Sequence, residues 1–285
     1  MTDALPLLRS ALFLPASNPR AVAKARTLDC DAVILDLEDA VGPDEKAAAR
    51  AAAMEAALEG GFRAPVVAVR VNGLDTPWGA DDLRALARAG LAGPVVTPKT
   101  GSAEALAAVR AALGGKAPLW ASVETCEGLL NLRQIAEAGA ALGLQALFFG
   151  QNDLSYEMGR RPGLDRRPLH WAMSLLVTTA RAHGLAVVDG VFNDFSDLAR
   201  FEAECREGRD FGFDGKAVIH PAQVGIAQAA FSPDETDLIW ARAVVRAFGL
   251  PGNEGRGAVR IEGGAMAERL HLRQAERLLA AAERS

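Results

Sequence analysis

Residues 31–41 read DAVILDLEDAV, an aliphatic run that carries Asp36 inside it and Glu38 and Asp39 at its end. The apolar residues are typical of a fully buried strand. An unpaired carboxylate costs several kcal/mol to bury. We therefore expect Asp36 to have a cationic partner, either Arg70 or Lys99, and the other two acids to mark the start of a functional site.

Runs of this kind alternate with helical stretches along the whole chain, which is the pattern of repeated βα units around a parallel sheet. Eight runs are strand candidates: RSALFLP, DAVILDLE, APVVAVRVN, GPVVTPK, PLWASVE, QALFFG, AVVDGVF and KAVIHP. Eight strand-helix pairs in about 230 residues match a TIM barrel. An open doubly wound sheet competes with it, but no strand is followed by a GxGxxG turn. We predict an α/β fold, a (β/α)8 TIM barrel with a C-terminal helical extension.

The predicted barrel domain takes residues 1–230 and the extension takes residues 231–285. Within the extension, helical stretches at 233–250 and 265–284 flank PGNEGRGAVRIEGG, which is typical of a flexible connector or a short hairpin. We expect this extension to contact a neighbouring subunit.

Composition excludes several classes of protein. Lys and Arg number 31 against 36 Asp and Glu, a net charge of -5, which offers no electrostatic footprint for nucleic acid. The chain starts without a signal-peptide pattern and has no run of membrane-spanning length, so we expect a cytoplasmic protein without a membrane partner. Three widely spaced cysteines form neither a disulfide framework nor a zinc pattern.

Strand parity predicts where the polar side chains gather, because successive side chains point to opposite faces. In APVVAVRVN the odd-numbered valines share one face and Arg70 shares the other. The same count aligns Asp36 with Glu38 and places Glu124 at the end of the fifth strand. Further polar residues near strand ends are Lys99, Asp189 and His220. Since the active site of a TIM barrel lies at the carboxyl ends of its strands, these residues predict a charged mouth there.

A metal site is the first candidate at this mouth. Glu124 ends strand five, and Asp153 follows strand six in FFGQNDLS. Two carboxylates without a His or Cys favour a hard cation, Mg²⁺ rather than Zn²⁺, with Mn²⁺ as a substitute. The alternative interpretation is a glutamate at a helix cap and an aspartate in a turn.

Cationic residues provide for an anionic substrate. The planar fork of Arg70 matches a carboxylate. Arg20 and Lys24 lie four residues apart on the first helix, a spacing that suits phosphate or the pyrophosphate of a coenzyme A tail. A solvated basic face explains the same spacing.

The chain resembles a known family in several motifs, which occur in order: LFLPASNPR, DAVILDLEDAV, VRVNG, VETCEGLLN, FGQNDL and GFDGKAVIHPAQV. From about Arg9 to Ala280 it is similar to the citrate lyase beta subunit family of the HpcH/HpaI aldolases. The resemblance implies a TIM barrel and a Mg²⁺-dependent carbon-carbon lyase that acts on citryl, malyl or citramalyl thioesters.

Site residues follow from the resemblance. Glu124 and Asp153 correspond to metal ligands, and Arg70 corresponds to the residue that grips the keto-acid product. Backbone amides of Asn152, Asp153 and Leu154 would hold the product carboxylate. Glu38 and Asp39 correspond to a pair of acids near the waters of the metal. Arg20 and Lys24 correspond to the residues that bind the phosphates of the thioester carrier.

One motif departs from the family pattern. Relatives carry DGxMxDxPH where this chain has EGGAMAERLH, so that Glu268 stands at the Asp position when His271 is aligned. The resemblance implies that the chain forms a homotrimer or hexamer in which this segment completes a neighbour's site. The proton is then transferred either by Glu268 of the neighbour or by a water that Glu38 and Asp39 position.

The expected reaction is cleavage of citryl-CoA, or of a citryl group on an acyl carrier protein, to oxaloacetate and an acetyl thioester. Four alternatives stay open: a malyl-CoA or citramalyl-CoA lyase, a thioesterase, a free-acid aldolase, and a non-catalytic subunit of a lyase complex.

Overall fold

The computed structural model describes residues 7–115, 117–161, 163 and 165–284. Eight parallel strands of this part form a closed barrel: β1 Ser10–Pro15, β2 Ala32–Asp36, β3 Val66–Arg70, β4 Val95–Thr97, β5 Leu119–Val123, β6 Leu144–Phe149, β7 Ala186–Asp189 and β8 Gly215–Val218. Each strand pairs with the next in sequence, and β8 closes on β1. The predicted (β/α)8 TIM barrel is confirmed.

Helices follow the strands in sequence: α1 Pro19–Ala25, α2 Lys46–Glu59, α3 Gly79–Ala89, α4 Ala103–Leu113, α5 Cys126–Leu130, α6 Leu132–Leu142, α7 Gln151–Glu157, α8 His170–His183, α9 Leu198–Phe211 and α10 Pro221–Phe231. Short polar residues and glycines set their ends. The Ser102 hydroxyl accepts the N–H of Ala105 at the start of α4, and Gly114 ends that helix in the left-handed conformation.

The barrel interior is apolar below its mouth. Ile34, Ala68, Trp120, Phe148 and Val188, each from a different strand, belong to one buried cluster. Ile34, Ala68 and Trp120 have the parity predicted for the interior face, and the same parity in β2 and β3 leads upward to Asp36 and Arg70 at the strand ends. Alternation along the strands therefore decides which polar side chains reach the mouth.

The C-terminal part forms a second compact unit, which begins after Gln228. It contains α11 Glu235–Phe248, β9 Ala258–Arg260, β10 Met266–Glu268 and α12 Arg269–Arg284. β9 and β10 pair antiparallel, so the Gly-rich segment forms the hairpin alternative. The predicted helix at 265–284 was wrong in its first residues, which belong to β10. The unit has its own apolar core: Ala241, Val244, Ala247, Phe248, Val259, Ile261, Ala267 and Ala275.

The structure bears on two further expectations. Within the described ranges, no helix has the length and apolar character needed to cross a membrane. Cys30, Cys126 and Cys205 are free thiols.

Candidate active site

A cavity of about 410 Å³ opens at the carboxyl ends of the barrel strands. Acidic and basic groups line one part of it, and apolar side chains line another. The charged residues are Asp36, Asp39, Arg70, Glu124 and Asp153. The principal apolar residues are Phe13, Phe148, Val191, Ala217 and Ile219. Such a cavity suits a small ligand that has an anionic end and a less polar end.

Asp36 is paired with Arg70. The two residues are register partners on β2 and β3, and the guanidinium donates from Nε to Oδ1 and from Nη2 to Oδ2, both at 2.6 Å. Asp36 also accepts the N–H groups of Glu38 at 2.9 Å and Ala40 at 3.2 Å. Arg70 is thus the expected cationic partner, but Asp36 occupies both its Nε and its Nη2, so Nη1 is the nitrogen left to face a substrate.

Glu38 stands between two cations. Its Oε1 accepts from Lys99 Nζ at 2.5 Å, and its Oε2 lies 2.9 Å from Arg70 Nη1. Burial raises the pKa of Glu38 although both cations lower it. Asp39 is half exposed, 3.5 Å from Arg70 Nη1 and 3.6 Å from Lys99 Nζ. The two acids at the end of the opening stretch therefore belong to one charged cluster at the mouth.

Glu124 is a deeply buried carboxylate of the cavity wall, only 3% exposed. Its Oε1 accepts the backbone N–H of Lys99 at 2.7 Å. Burial, followed by the negative charge of Glu38 and with a further contribution from Asp153, raises the pKa of Glu124 to about 7. A carboxylate in this position favours either a proton or a cation.

Glu124 also explains a glycine in the motif FGQND. Val123 and Phe149 are register partners, which brings Glu124 beside Gly150. A Cβ at Gly150 would lie 2.1 Å from Glu124 Cβ and 2.4 Å from its Oε2. Only glycine leaves room for this carboxylate.

Gly150→Ala is therefore expected to displace Glu124 and to weaken Mg²⁺ binding by at least tenfold, because the methyl group overlaps the glutamate side chain. Titration calorimetry with Mg²⁺ measures the effect. Gly163→Ala is the control, because its added Cβ meets nothing within 4 Å. Equal affinities of the two variants would contradict the steric explanation.

The raised pKa of Glu124 also predicts a pH dependence of stability. The pKa of Glu124 is about 7 in the folded state and an ordinary 4.5 in the unfolded state. As pH rises, this carboxyl therefore ionises first in the unfolded state. The free energy of unfolding falls between pH 4.5 and pH 7 for this reason and stays constant above that range. In metal-free protein Glu124→Gln should raise the free energy of unfolding at pH 8 by about 3 kcal/mol. At pH 4 the difference should be much smaller. Urea unfolding of both proteins at both pH values, in EDTA, tests this, and a pH-independent difference would contradict it.

Lys99 has the one non-glycine backbone with a positive φ, 45°, in the described part of the chain. A left-handed backbone costs a residue with a side chain about 1–2 kcal/mol. This backbone conformation directs the N–H of Lys99 to Glu124. The ammonium of the same residue donates to Glu38 and lies 3.7 Å from Asp153 Oδ1. Strain of this kind concentrates at functional sites.

The first turn of α7 carries the predicted anion-binding amides. The side-chain amides of Asn152 and Asn193 pair reciprocally, at 3.0 and 3.2 Å, and join α7 to the loop after β7. The backbone N–H of Leu154 donates to the Gly150 carbonyl oxygen at 3.1 Å. The first three amides of a helix lack intrahelical acceptors, whereas the Leu154 amide already has one. Of the three amides predicted to bind the product carboxylate, those of Asn152 and Asp153 are left for this role.

Four predicted site residues of the barrel do not line the cavity: Glu38, Leu154, Arg20 and Lys24. Arg20 and Lys24 are exposed on α1. A groove of about 470 Å³ between α1 and α2 is lined by other α1 residues, among them Val22 and Ala23. Glu268 ends β10 in the C-terminal unit, where its backbone N–H donates to His271 Nδ1 at 2.9 Å.

Asp189 and His220 were wrongly placed among the residues of the mouth. Asp189 has the opposite parity to the interior Val188 and is fully buried. His220 stacks on Phe195, and its Nδ1 accepts the N–H of Ala222 in the first turn of α10. His220 therefore has the helix-entry role that was its alternative interpretation.

Asp189 belongs to a buried ion network that the sequence analysis missed. Lys216 Nζ contacts Asp189 Oδ2 at 2.8 Å and Glu204 Oε1 at 2.7 Å, and Arg166 contacts Asp189 Oδ1 at 2.6 Å. Burial raises the pKa of Asp189, but Lys216 and Arg166 outweigh it and leave this pKa below its ordinary value. Gln151, on the cavity wall, donates to Glu204 at 3.4 Å. The lysine in the apolar strand GKAV was the available signal, because it too required a partner.

The closed barrel and the charged cavity at its strand ends define a TIM-barrel protein whose site lies where enzymes of this fold carry theirs. Residues 9–221 match the HpcH/HpaI aldolase/citrate lyase family, and the chain belongs to that family. The resemblance seen in the sequence is confirmed.

Individual relatives narrow the comparison. A protein named (3S)-malyl-CoA thioesterase from Cereibacter sphaeroides is 45% identical over 278 residues, 96% of this chain and 94% of that protein. An L-malyl-CoA/beta-methylmalyl-CoA lyase of the same organism is 34% identical with the same coverage. The crystal structure of CitE from Mycobacterium tuberculosis in complex with magnesium, acetoacetate and coenzyme A is 31% identical. It covers 99% of this chain and 100% of its own, with a TM-score of 0.81.

Proposed function

We propose that this protein is a Mg²⁺-dependent enzyme that hydrolyses the CoA thioester of a hydroxy dicarboxylic acid of the malyl type. One observation carries the proposal: a single cavity combines the carboxylates of Glu124 and Asp153 with the guanidinium of Arg70. The 45% identity to a malyl-CoA thioesterase favours the malyl group and hydrolysis. CitE, which binds magnesium and coenzyme A, supports the cofactor and the carrier.

The residues at the mouth fit Mg²⁺. The described side chains include no group of three or more His, Cys, Asp or Glu arranged around a metal position. Mg²⁺ does not need one, since it usually takes one or two carboxylates and keeps several waters. The negative charges that raise the pKa of Glu124 are those a divalent cation relieves. Glu124 and Asp153 would hold the ion, and Mn²⁺ fits the same oxygens. The bound ion would supply charge stabilisation at the substrate oxygens.

The side chains around this position have distinct tasks. Arg70 neutralises the substrate carboxylate through Nη1, the nitrogen that Asp36 leaves unbonded, and the amides of Asn152 and Asp153 donate to it. Glu38 and Asp39 orient a water: its oxygen bonds to the thioester carbonyl carbon, the C–S bond breaks, and its proton passes through a carboxylate to the CoA thiolate. The raised pKa of Glu38 suits such a proton carrier.

Carbon-carbon cleavage is the second candidate, and the 34% identity to a malyl-CoA lyase favours it. In this reaction a base takes the proton of the substrate hydroxyl, the adjacent carbon-carbon bond breaks, and the acetyl thioester leaves as an enolate that must be protonated. Glu268 of a neighbouring subunit, within a homotrimer or hexamer, is the proposed acid. A citryl thioester, which would give oxaloacetate, is the alternative substrate.

Product analysis separates these reactions. Purified protein with Mg²⁺ and (3S)-malyl-CoA should release free CoA thiol and malate in equal amounts, whereas a lyase releases glyoxylate and acetyl-CoA without free thiol. Citramalyl-CoA and citryl-CoA are the comparison substrates. If glyoxylate appears without free thiol, the protein is a lyase and the proposed hydrolysis is wrong. If no thioester is turned over, both the hydrolysis and the cleavage proposals are wrong.

The proposed phosphate contacts give a further prediction. Replacing both Arg20 and Lys24 by glutamine should raise KM for the CoA thioester about tenfold and leave kcat within twofold, because two exposed charges near phosphates contribute to binding rather than to chemistry. Steady-state kinetics with malyl-CoA measures this. The truncated malyl-pantetheine thioester is the control, and an equal KM increase for it would contradict a phosphate contact.

A further inference from the structure

Lys46, the first residue of α2, is a buried lysine beside the cluster at the mouth. Its side chain is enclosed, with 6% of the residue exposed. The ammonium donates to the carbonyl oxygen of Leu37 at 2.8 Å and to that of Glu38 at 2.7 Å. These are consecutive carbonyls at the point where β2 ends and the acidic turn begins.

Both hydrogen bonds of this ammonium go to main-chain carbonyls. No carboxylate oxygen of the described residues lies within 4.0 Å of Lys46 Nζ, and the Trp78 ring lies 5.2 Å from it. Burial lowers the pKa of Lys46, which the acids of this region offset in part. Burying an ammonium costs several kcal/mol. The two hydrogen bonds that Lys46 donates to the backbone must offset this cost.

The turn that Lys46 holds is fixed from two sides. Asp36 accepts the amides of Glu38 and Ala40, as described above. On the carbonyl side, Asn72 Nδ2 also donates to Leu37 O at 2.9 Å, and Val41 N donates to Glu38 O at 3.0 Å. Among these donors to the two carbonyls, Lys46 is the one that carries an ammonium, and it joins both carbonyls to α2.

We propose that Lys46 is a positioning residue, which fixes the turn after β2 so that Glu38 keeps its place between the two cations and Asp39 lines the cavity. The assignment of these acids to chemistry rests on the proposed function, whereas the effect of Lys46 on the turn does not. Lys46 acts through the backbone and has no contact with the cavity lining in this role. A shift of about 1 Å at a reacting group can cost 10²-fold in rate.

Lys46→Met tests this, because it keeps the chain length and removes the donors. With Mg²⁺ and malyl-CoA, kcat should fall about 100-fold, while KM and the Kd for Mg²⁺ stay within threefold. Hydrogen exchange of the amides of residues 37–41 should accelerate at least tenfold, while exchange in β2 stays unchanged. Lys46→Gln, which keeps a donor without the charge, is the second variant should the methionine protein not fold, and at least a tenfold fall in kcat is then expected.

Ala53→Gly is the matched control, since it lies two turns further along α2 and a helix glycine costs about 1 kcal/mol. It should leave kcat and the exchange of residues 37–41 unchanged. Three results overturn the proposal: unchanged exchange at 37–41 in the Lys46 variants, kcat within twofold of the native value, or losses that Ala53→Gly reproduces. If the native protein turns over no thioester, the proposed function fails, and the exchange comparison alone decides the role of Lys46.

Discussion

Glu124→Ala is expected to abolish Mg²⁺-dependent turnover, lowering kcat/KM about 10³-fold, because the ion supplies several kcal/mol of charge stabilisation. Glu124 is one of the two carboxylates proposed to hold it, so affinity for Mg²⁺ should fall at least 100-fold. Titration calorimetry measures the binding, and the release of CoA thiol measures the rate.

Glu127→Ala provides the control, since Glu127 is an exposed carboxylate three residues along the chain and its removal changes the charge equally. Its Mg²⁺ affinity and rate should match those of the native protein. The proposed metal site would be wrong if Glu124→Ala kept both its affinity and its rate.

Lys216→Met should lower the free energy of unfolding by about 3–5 kcal/mol, because it leaves Asp189 and Glu204 buried with less compensating charge. Lys216 and Asp189 are both fully buried, and the lysine contacts both acids at less than 3 Å. Urea unfolding at pH 7 measures the loss.

Arg133→Met is the comparison, since its ion pair with Glu137 is a surface pair in which the arginine side chain is 84% exposed. It should change the free energy of unfolding by no more than about 0.5 kcal/mol. If the two variants lost similar amounts of unfolding free energy, the buried ion network would not stabilise the fold more than a surface ion pair does, and the prediction would be wrong.

Local alternation made part of this site predictable. Parity along β2 and β3 placed Asp36 and Arg70 on one face of the barrel, and register made them partners. The family motifs pointed to Glu124 and Asp153, which line the same cavity. These inferences needed only neighbours in sequence or a fixed strand order.

Features that depend on distant segments were not predictable in this way. The partners of Asp189 come from β8 and the loop before α8, and a strand end does not reveal which face its last residue takes. Lys46 begins an Ala-rich helix, where a lysine is typical of a solvated surface. Its carbonyl partners became evident only once α2 was placed against the end of β2.

The most direct test of the account is the metal dependence of turnover of (3S)-malyl-CoA by purified protein. After EDTA treatment and removal of the chelator, thioester consumption should be negligible, and Mg²⁺ should restore it in the native protein but not in Glu124→Ala. Equal consumption with and without Mg²⁺, or full restoration in Glu124→Ala, would contradict the claim that the mouth of the barrel holds the ion on which the chemistry depends.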